Sequence, residues 1–359
     1  MVMHWPFVLL DSTPKIHTLL PGHPHQPAER KRPRPPVENE AGLCERIEAT
    51  LEAAKRVWPW PSSQPQSPTP SPARSLGLAE RVRRQQGVDF PIRLVAIRLS
   101  KDSKNLHAPL LYASLIENPD ENESVEFKAL GERFTLPPGA SVCLGEARRW
   151  RELGPLRPPG GYRLLLLDPP WHSKSAQRAG CYATSDKRDL LADLVPALKA
   201  LLAPTNCLIA CWVTNNRAVQ DFVEEGLFPA CGATLLGRWY WVKVRSEDGS
   251  WAMKGADPWS PHRKPWEVLI LGQIGGGRGD DAPQLLLPER LVVCAAPTAH
   301  SCKPPLDGLL ASAAPALLGE PHLPVETAWR RLPKFECYAR GVRPHWHAAG
   351  NEVLSSLAL

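Results

Sequence analysis

A carboxylate, two prolines and an aromatic residue follow one another directly at Asp168, Pro169, Pro170 and Trp171. The exocyclic amine of a nucleobase is a weak nucleophile because its lone pair is delocalised into the ring. A carboxylate and a backbone carbonyl can accept its two N–H groups and so aim the lone pair at an electrophile. Proline stiffens that carbonyl and has no N–H of its own, and an indole can stack on a base. This Asp168–Trp171 motif therefore suits substitution at a base amine, although an Asp-Pro-Pro turn can also simply cap a helix.

The motif directly follows four leucines, Leu164–Leu167, which predict a strand buried on both faces. Ligands of open α/β sheets bind outside the carboxyl ends of the strands, where Asp168 would lie. Buried strands alternate with helices along the chain, which predicts an α/β fold with a mainly parallel sheet. The predicted strands cover 90–99, 141–144, 162–167, 208–213, 237–244, 268–271, 291–294 and 334–340. The predicted helices cover 45–58, 186–202 and 217–226.

Composition limits the class of protein. The chain has 359 residues, is 43% hydrophobic and carries a net charge of +6, so it can bury a sizeable core and is compatible with a nucleic-acid partner. No apolar run approaches the roughly 18 residues of a membrane span, and the start lacks the basic segment of a secretion signal. Nine cysteines occur without a C-x-x-C pair, which argues against a zinc ribbon and predicts buried thiols in a reducing compartment.

The chain has forty prolines, about twice ordinary usage, and fourteen of them stand in residues 1–88. We expect residues 1–88 to form a Pro-rich, mostly disordered region and residues 89–359 to form the folded domain. A basic cluster at Arg30–Arg34 is either a nuclear-import signal or a solvated run of charge. Within the first region, the spacing of Ile47 and Leu51 predicts a short amphipathic helix.

Several separate blocks share one resemblance. In chain order they are Leu136–Gly139, the Asp168–Trp171 motif, Cys211–Asn215, Trp239–Lys243, Ser260–Glu267, Ser301–Leu306, and Ala339–Arg340 through Gly350–Glu352. With these blocks the chain resembles the MT-A70 family, the N6-adenine methyltransferases of RNA and DNA. The resemblance spans about residues 90–355. It implies a Rossmann-like, S-adenosylmethionine-dependent methyltransferase fold in which the catalytic motif precedes the cofactor-binding strands. That permuted order explains why no G-x-G-x-x-G turn stands before Asp168.

The resemblance also implies roles for individual residues. The catalytic residues would be Asp168, Pro169, Pro170 and Trp171, with Asp168 and the Pro169 carbonyl holding the target amine. The cofactor-binding residues would be Glu146, Asp168, Lys303, Arg340, Asn351 and Glu352. Lys303 would pair with the cofactor carboxylate, and Arg340, Asn351 and Glu352 would hold its ribose. Otherwise Lys303 is a solvated side chain and Asn351–Glu352 is a helix cap.

Three positions depart from the pattern of the family. Glu146 stands where relatives carry an aspartate beside the adenine of the cofactor, Cys302 replaces the usual histidine, and Trp266 stands where relatives have tyrosine. His345 and His347 are expected in a C-terminal loop. These changes affect individual contacts and leave the Asp168–Trp171 motif in place.

Basic and aromatic residues near the motif could bind single-stranded nucleic acid through phosphate contacts and stacking. The candidate substrate-binding residues are His172, Lys174, Arg178, Arg263, Lys264 and Trp266. The alternative is a solvated loop. Trp239 and Trp241 alternate along a predicted strand and are expected in the core or in a pocket wall.

The expected activity is N6-adenine methylation without a metal, in the nucleus and in part in the cytoplasm. The resemblance implies adenosine in RNA as the substrate, with 2′-O-methyladenosine of small nuclear RNA favoured, or adenine in DNA. The alternative is a non-catalytic, nucleic-acid-binding scaffold of the same fold. A dinucleotide-dependent oxidoreductase is disfavoured because its glycine-rich turn is missing.

Overall fold

A computed structural model describes residues 8–10, 40–57, 96–100, 105–106, 111, 114–171, 187–245, 248–252, 259, 264–275, 285, 287–295, 303–354 and 357. Within these residues the chain forms two compact units. The first is drawn from Met1–Gln64, Leu235–Ile270 and Pro288–Pro305, and the second from Pro65–Thr234, Leu271–Leu287 and Leu306–Leu359. The domain boundary predicted after residue 88 lies outside the described residues and stays a prediction.

The described strands, in chain order, are β1 (Val8–Leu10), β2 (Ala96–Arg98), β3 (Asn105–Leu106), β4 (Leu115–Glu117), β5 (Val125–Ala129), β6 (Glu132–Leu136), β7 (Ser141–Cys143), β8 (Leu164–Leu167), β9 (Cys207–Val213), β10 (Ala233–Lys243), β11 (Trp266–Ile274), β12 (Arg290–Ala295), β13 (Lys334–Cys337) and β14 (His347–Ala349). The α-helices are α1 (Glu40–Val57), α2 (Lys187–Leu201), α3 (Arg217–Asp221), α4 (Phe228–Ala230), α5 (Asp307–Leu310), α6 (Ala314–Leu318) and α7 (Val325–Arg331). A π-helical segment at Phe222–Leu227 and 3₁₀ segments at Ala147–Leu156 and Ala311–Ala313 complete the set.

The sheet of the second unit has the strand order β9-β8-β13-β14-β7-β4-β2. The strands from β9 to β7 are mutually parallel, and β4 then pairs antiparallel with β7. All four residues of β8 and all seven of β9 are buried, as expected for strands covered on both faces. The predicted α/β fold with a mainly parallel sheet is confirmed. The strands β13 and β14 follow β8 in the chain, which agrees with the permuted order.

A second, three-stranded sheet of order β3-β5-β6 was not predicted. Its hairpin turns through Leu130 and Gly131, both with positive φ (54° and 77°), as a two-residue type I′ turn requires. Val125, Phe127 and Ala129 alternate with exposed residues along β5. Period-two alternation could have indicated this strand.

The first unit contains parts of the region predicted to be mostly disordered. Helix α1 packs against β1 and β12, and β1 pairs antiparallel with β12. Cys44, Ile47 and Leu51 form the buried stripe of α1, so the helix predicted from this spacing is confirmed and begins at Glu40. Strand β1 in this region was not predicted. The rest of residues 1–88 lies outside the described residues, so the expectation of disorder there stays a prediction.

Two further predictions concern buried side chains, the tryptophans of β10 and the cysteines. Trp239 and Trp241 on β10 are each 2% exposed, and their indole N–H groups donate to the carbonyls of Pro288 and Ala295. The seven cysteines in the described part of the chain are free and buried: Cys44, Cys143, Cys207, Cys211, Cys231, Cys294 and Cys337. Burial raises the pKa of Cys143 to about 12, so its thiol stays protonated. Both groups are core residues, as predicted, while Cys181 and Cys302 lie outside the described residues.

His347 corrects the expectation of a C-terminal loop, because it is the first residue of β14. It pairs in register with Ser141 of β7 and Phe335 of β13. Its Nδ1 lies 2.7 Å from the hydroxyl of buried Tyr162. Burial, with a contribution from the charge of Lys334, lowers the pKa of His347 to about 4.

The low pKa of His347 predicts that the folded chain loses stability in acid. Because the pKa of His347 is lower in the folded chain than in the unfolded chain, the unfolded state binds the proton first, and stability falls as pH drops from about 6.5 towards about 4. Between pH 7 and pH 5 we expect His347 to cost about 2 kcal/mol of unfolding free energy. His347→Gln should remove this part of the pH dependence in urea unfolding, whereas His322→Gln, at an exposed position, should not. Equal slopes in both variants would contradict the assignment.

Candidate active site

Four parallel strands of the second unit end at one edge of the sheet. Asp168 follows β8, and the loops after β13, β14 and β7 carry Arg340, Asn351–Glu352 and Glu146. Neighbouring parallel strands present their carboxyl ends together, and ligands of open α/β sheets bind there. The structure thus brings the predicted catalytic carboxylate and four of the predicted cofactor residues to the same edge.

Hydrogen bonds connect the Asp168–Trp171 motif to β13 and β9, the two strands on either side of β8. The backbone N–H of Asp168 donates to the Cys337 carbonyl at the end of β13 (3.3 Å). The indole Nε1 of Trp171 donates to the Trp212 carbonyl of β9 (2.7 Å). Trp171 is only 6% exposed, and its ring meets Phe222 edge to face. Base stacking by Trp171 is therefore not supported, because the indole is occupied as an anchor of the motif.

The Pro169 carbonyl already has one donor. The Trp171 backbone N–H reaches it at 2.8 Å, which turns the carbonyl oxygen in a fixed direction. A carbonyl oxygen has two lone pairs, so one remains for a second N–H. Asp168 is partly exposed at the same turn. The motif thus offers a carboxylate and an oriented carbonyl, the two acceptors that an amine requires.

Beyond β13 and β14, Arg340 and Glu352 form an ion pair, with Nε and Oε2 3.4 Å apart. Beside them, Asn351 Oδ1 is buried and has no hydrogen-bond partner among the described residues. A buried acceptor without a donor is costly unless a ligand supplies one. Hydroxyl groups of a ribose would supply donors to Asn351 and Glu352. This arrangement fits the ribose of S-adenosylmethionine.

The backbone conformation of the loops after β13 and β14 is tightly constrained. A Cβ on Gly350 would lie 2.6 Å from the Ala339 carbonyl oxygen, so only glycine lets the two loops approach this closely. Residues Asn351–Leu354 form a turn, which disfavours a helix cap as the role of Asn351 and Glu352. Tyr338, the first residue after β13, has φ +59°, a strained conformation for a residue with a side chain. The loops are therefore held in one shape.

Glu146, the residue that departs from the family's aspartate, is half-buried at the start of the 3₁₀ segment and makes no capping hydrogen bond with its side chain. Four residues further on, Trp150 packs edge to face on Tyr338 with ring centroids 4.8 Å apart. Its indole N–H donates to the Gly145 carbonyl. Trp150 and Tyr338 thus join the ends of β7 and β13, a role for which the sequence carried no signal.

In the first unit, Lys303 has a partner that sequence reasoning missed. Glu267 binds Lys303 through Oε2 (2.7 Å) and Lys243 through Oε1 (2.5 Å). Burial alone would raise the pKa of Glu267, but the two ammonium groups outweigh it and hold the pKa at about 2. This Lys243–Glu267–Lys303 clamp carries a net charge of +1, which still suits a carboxylate ligand. Three of the quoted sequence blocks meet in it, and Glu267 stands in one of them.

The candidate substrate residues are only partly described. His172, Lys174, Arg178 and Arg263 lie outside the described residues and stay predictions. Trp266 is 3% exposed, with the Lys264 ammonium 5.2 Å from its ring centre, so stacking of a base on Trp266 is not supported. Another tryptophan of the first unit, Trp259, is 49% exposed, and its indole N–H donates to Glu48 of α1 (2.9 Å).

None of the described helices is long and apolar enough to cross a membrane. Within the same part of the chain, no group of three or more His, Cys, Asp or Glu side chains is placed to hold a metal ion.

Comparison with known proteins gives one family match. The model of the family described as MT-A70 matches residues 162–352. The human N(6)-adenine-specific methyltransferase METTL4 is 28% identical over 268 residues, which cover 72% of this chain and 51% of that protein. The N6-methyladenosine RNA methyltransferase MTA1 of Pyricularia oryzae is 32% identical over 235 residues, 62% of this chain and 54% of that protein.

A third relative carries a different name. The DNA N6-methyl methyltransferase of Caenorhabditis elegans is 25% identical over 244 residues, 66% of this chain and 55% of that protein. The chain thus spans about half the length of the curated relatives it matches. The matched region contains every strand from β8 to β14.

Proposed function

The chain belongs to the MT-A70 family, and from this premise we propose that it transfers a methyl group from S-adenosylmethionine to N6 of adenine in nucleic acid. The observation that carries the proposal is the Asp168–Trp171 motif at the end of β8. Residue Asp168 is partly exposed, and the Pro169 carbonyl is oriented by the hydrogen bond from the Trp171 N–H. The names of the relatives, an N(6)-adenine-specific methyltransferase, an N6-methyladenosine RNA methyltransferase and a DNA N6-methyl methyltransferase, support the same reaction.

The residues of the chain have distinct tasks in this reaction. Asp168 and the Pro169 carbonyl accept the two N–H groups of the target amine and hold its lone pair in line with the electrophile. Arg340, Asn351 and Glu352 hold the cofactor ribose, and Lys303 pairs with its carboxylate. When bound, the cofactor supplies a methyl group on a positively charged sulfur. Transfer of this group to the amine would leave the cofactor as a neutral thioether, and the proton lost by the amine would pass to water.

We further propose that RNA is the main substrate, with 2′-O-methyladenosine of small nuclear RNA favoured over DNA adenine, and that the protein acts in the nucleus. The basic cluster Arg30–Arg34 supports nuclear import. The 2′-oxygen is the chemical difference by which a protein distinguishes RNA from DNA at one nucleotide.

The test uses the purified chain, S-adenosylmethionine labelled on its methyl group, and four oligonucleotides. Three have the same sequence and carry adenosine, 2′-O-methyladenosine or deoxyadenosine at one position. The fourth is a control that lacks adenine. Label recovered as N6-methylated nucleoside from the first three substrates only is the expected result, highest for 2′-O-methyladenosine. Tight binding of the oligonucleotides without transfer of label would instead support a non-catalytic scaffold. Preference for deoxyadenosine would overturn the choice of substrate but not the reaction.

A further inference from the structure

A cavity of about 320 Å³ lies in the second unit, at the edge of the sheet opposite the candidate active site. Its lining includes Gly139 and Ala140, which precede β7, and His347, which begins β14. The loops of the candidate active site follow the other ends of these two strands. The cavity is therefore a separate site, and its volume is within the usual range for pockets that bind small molecules.

A row of four side chains crosses the sheet along this cavity. Arg98 of β2 pairs in register with Glu117 of β4. Ser141 of β7 pairs with Glu117 on one side and with His347 of β14 on the other. Residues that pair directly across neighbouring strands project from the same face, with Cβ atoms about 5 Å apart. All four residues line the cavity, so one ligand can contact neighbouring members of the row.

Two members of this row present hydrogen-bond acceptors to the cavity. Ser141 is 1% exposed, and its hydroxyl has no hydrogen-bond partner among the described residues. The Glu117 carboxylate lies 3.6 Å from the Arg98 guanidinium, which is longer than a good hydrogen bond, and the Glu117 side chain is 23% exposed. A buried hydroxyl without a partner is costly, and a ligand that donates to both groups removes this cost.

The other charged or titratable groups of the lining favour a positive ligand. Arg98 is 78% exposed, so water screens its charge at the rim. Burial lowers the pKa of His347 to about 4, so its imidazole adds no charge near neutral pH, and its Nδ1 lies 2.7 Å from the Tyr162 hydroxyl. Glu121 contributes a second carboxylate, which lies 2.9 Å from His345 Nδ1. The protected part of the cavity thus combines the Glu117 carboxylate with a hydroxyl and a neutral ring.

We propose that this cavity binds a small organic cation, a primary ammonium or guanidinium group, which donates hydrogen bonds to the Glu117 carboxylate and the Ser141 hydroxyl. Both kinds of group carry several N–H donors on one positive charge. An anion would meet the Glu117 carboxylate at close range. A metal ion would need more ligating side chains than the described residues bring together here. The site does not depend on the proposed function.

The experiment follows the ring carbons of carbon-13-labelled histidine by NMR in the full chain, with His347→Gln to identify the His347 signal. The probes are n-butylammonium and n-butylguanidinium, added at constant ionic strength. Both should shift the His347 signal to saturation. Tetramethylammonium, which has the charge but no N–H, and butyrate should not. An unshifted signal with both cations, or an equal shift with tetramethylammonium, would overturn the proposal.

Variants locate the contacts within the row. Glu117→Gln should weaken binding of n-butylammonium by at least about tenfold, because a hydrogen bond to a charged acceptor is lost, and Ser141→Ala by about three- to tenfold. Glu126→Gln, at an exposed position of β5, is the matched control and should bind as the original chain does. Unchanged affinity in both Glu117→Gln and Ser141→Ala would contradict the assignment.

Arg98→Met gives a change in the opposite direction, which damage to the fold would not produce. Removal of the competing guanidinium should strengthen binding of n-butylammonium, by up to about fivefold at this exposed position. If Glu117→Gln does not fold, this gain carries the test. Weaker binding in Arg98→Met would count against a cation site at Glu117.

The same chemistry is available from a free amine and from a lysine side chain of a partner protein. Titration with 1,5-diaminopentane and with a blocked tripeptide that has a central lysine distinguishes the two sources. Saturation by the diamine alone would identify a free amine as the ligand, and saturation by the peptide would identify a side chain. Either pattern upholds the site, whereas saturation by neither contradicts it.

Discussion

Asp168→Asn is expected to lower methyl transfer by about 10²- to 10⁴-fold, the range found when a positioned group that acts on the reacting atoms is removed. The two side chains have nearly the same shape, so the turn and its hydrogen bond from the Asp168 backbone N–H to the Cys337 carbonyl should persist. The amide, however, presents an N–H₂ group to an amine that requires an acceptor, and it carries no charge. Single-turnover transfer of labelled methyl to the best oligonucleotide is the measurement.

The matched control for this prediction is Asp193→Asn, a change of the same kind on the exposed side of α2. It should keep the rate of the original chain. Cofactor affinity should change by less than about tenfold in Asp168→Asn, because the ribose contacts and the clamp remain. Transfer by Asp168→Asn at more than a tenth of the original rate would show that Asp168 is not the catalytic acceptor.

Lys303→Met should weaken binding of S-adenosylmethionine by about 10- to 100-fold, as expected when a charged hydrogen bond to a carboxylate is lost. The change also removes one ammonium from the Lys243–Glu267–Lys303 clamp, whose net charge falls from +1 to zero. The nonpolar methionine keeps most of the length of the lysine stem. Calorimetric titration with the cofactor, and with its demethylated product, measures the effect without any methyl transfer.

Lys264→Met is the contrast to Lys303→Met. Lys264 lies against Trp266 and belongs to the candidate substrate residues. Its replacement should leave cofactor affinity within about twofold and should weaken oligonucleotide binding, with a smaller dependence on salt. Equal cofactor affinity in Lys303→Met and the original chain would refute the role of Lys303.

Much of the fold could be predicted because it depends on short stretches of chain. Leu164–Leu167 predicts a doubly buried strand by itself, and the spacing of Ile47 and Leu51 predicts α1, since hydrophobic periodicity is a property of a few neighbouring residues. The expected edge for ligands followed from the general behaviour of parallel sheets. His347 was misplaced because a three-residue strand has too little pattern to be distinguished from a loop.

The site was predictable as a set of positions, but not as a set of partners. Residue types and their order already determined that a carboxylate, two prolines and an indole end a buried strand, and that Asn351 and Glu352 follow a glycine. Tertiary structure alone decided that Trp171 and Trp266 are buried, that Tyr338 has a left-handed backbone and that Glu267 binds two lysines. Arg343 reaches Asp307 across 36 residues of chain. Such pairs form because separate strands and loops fold onto one another, and no local pattern records which distant charge a side chain will meet.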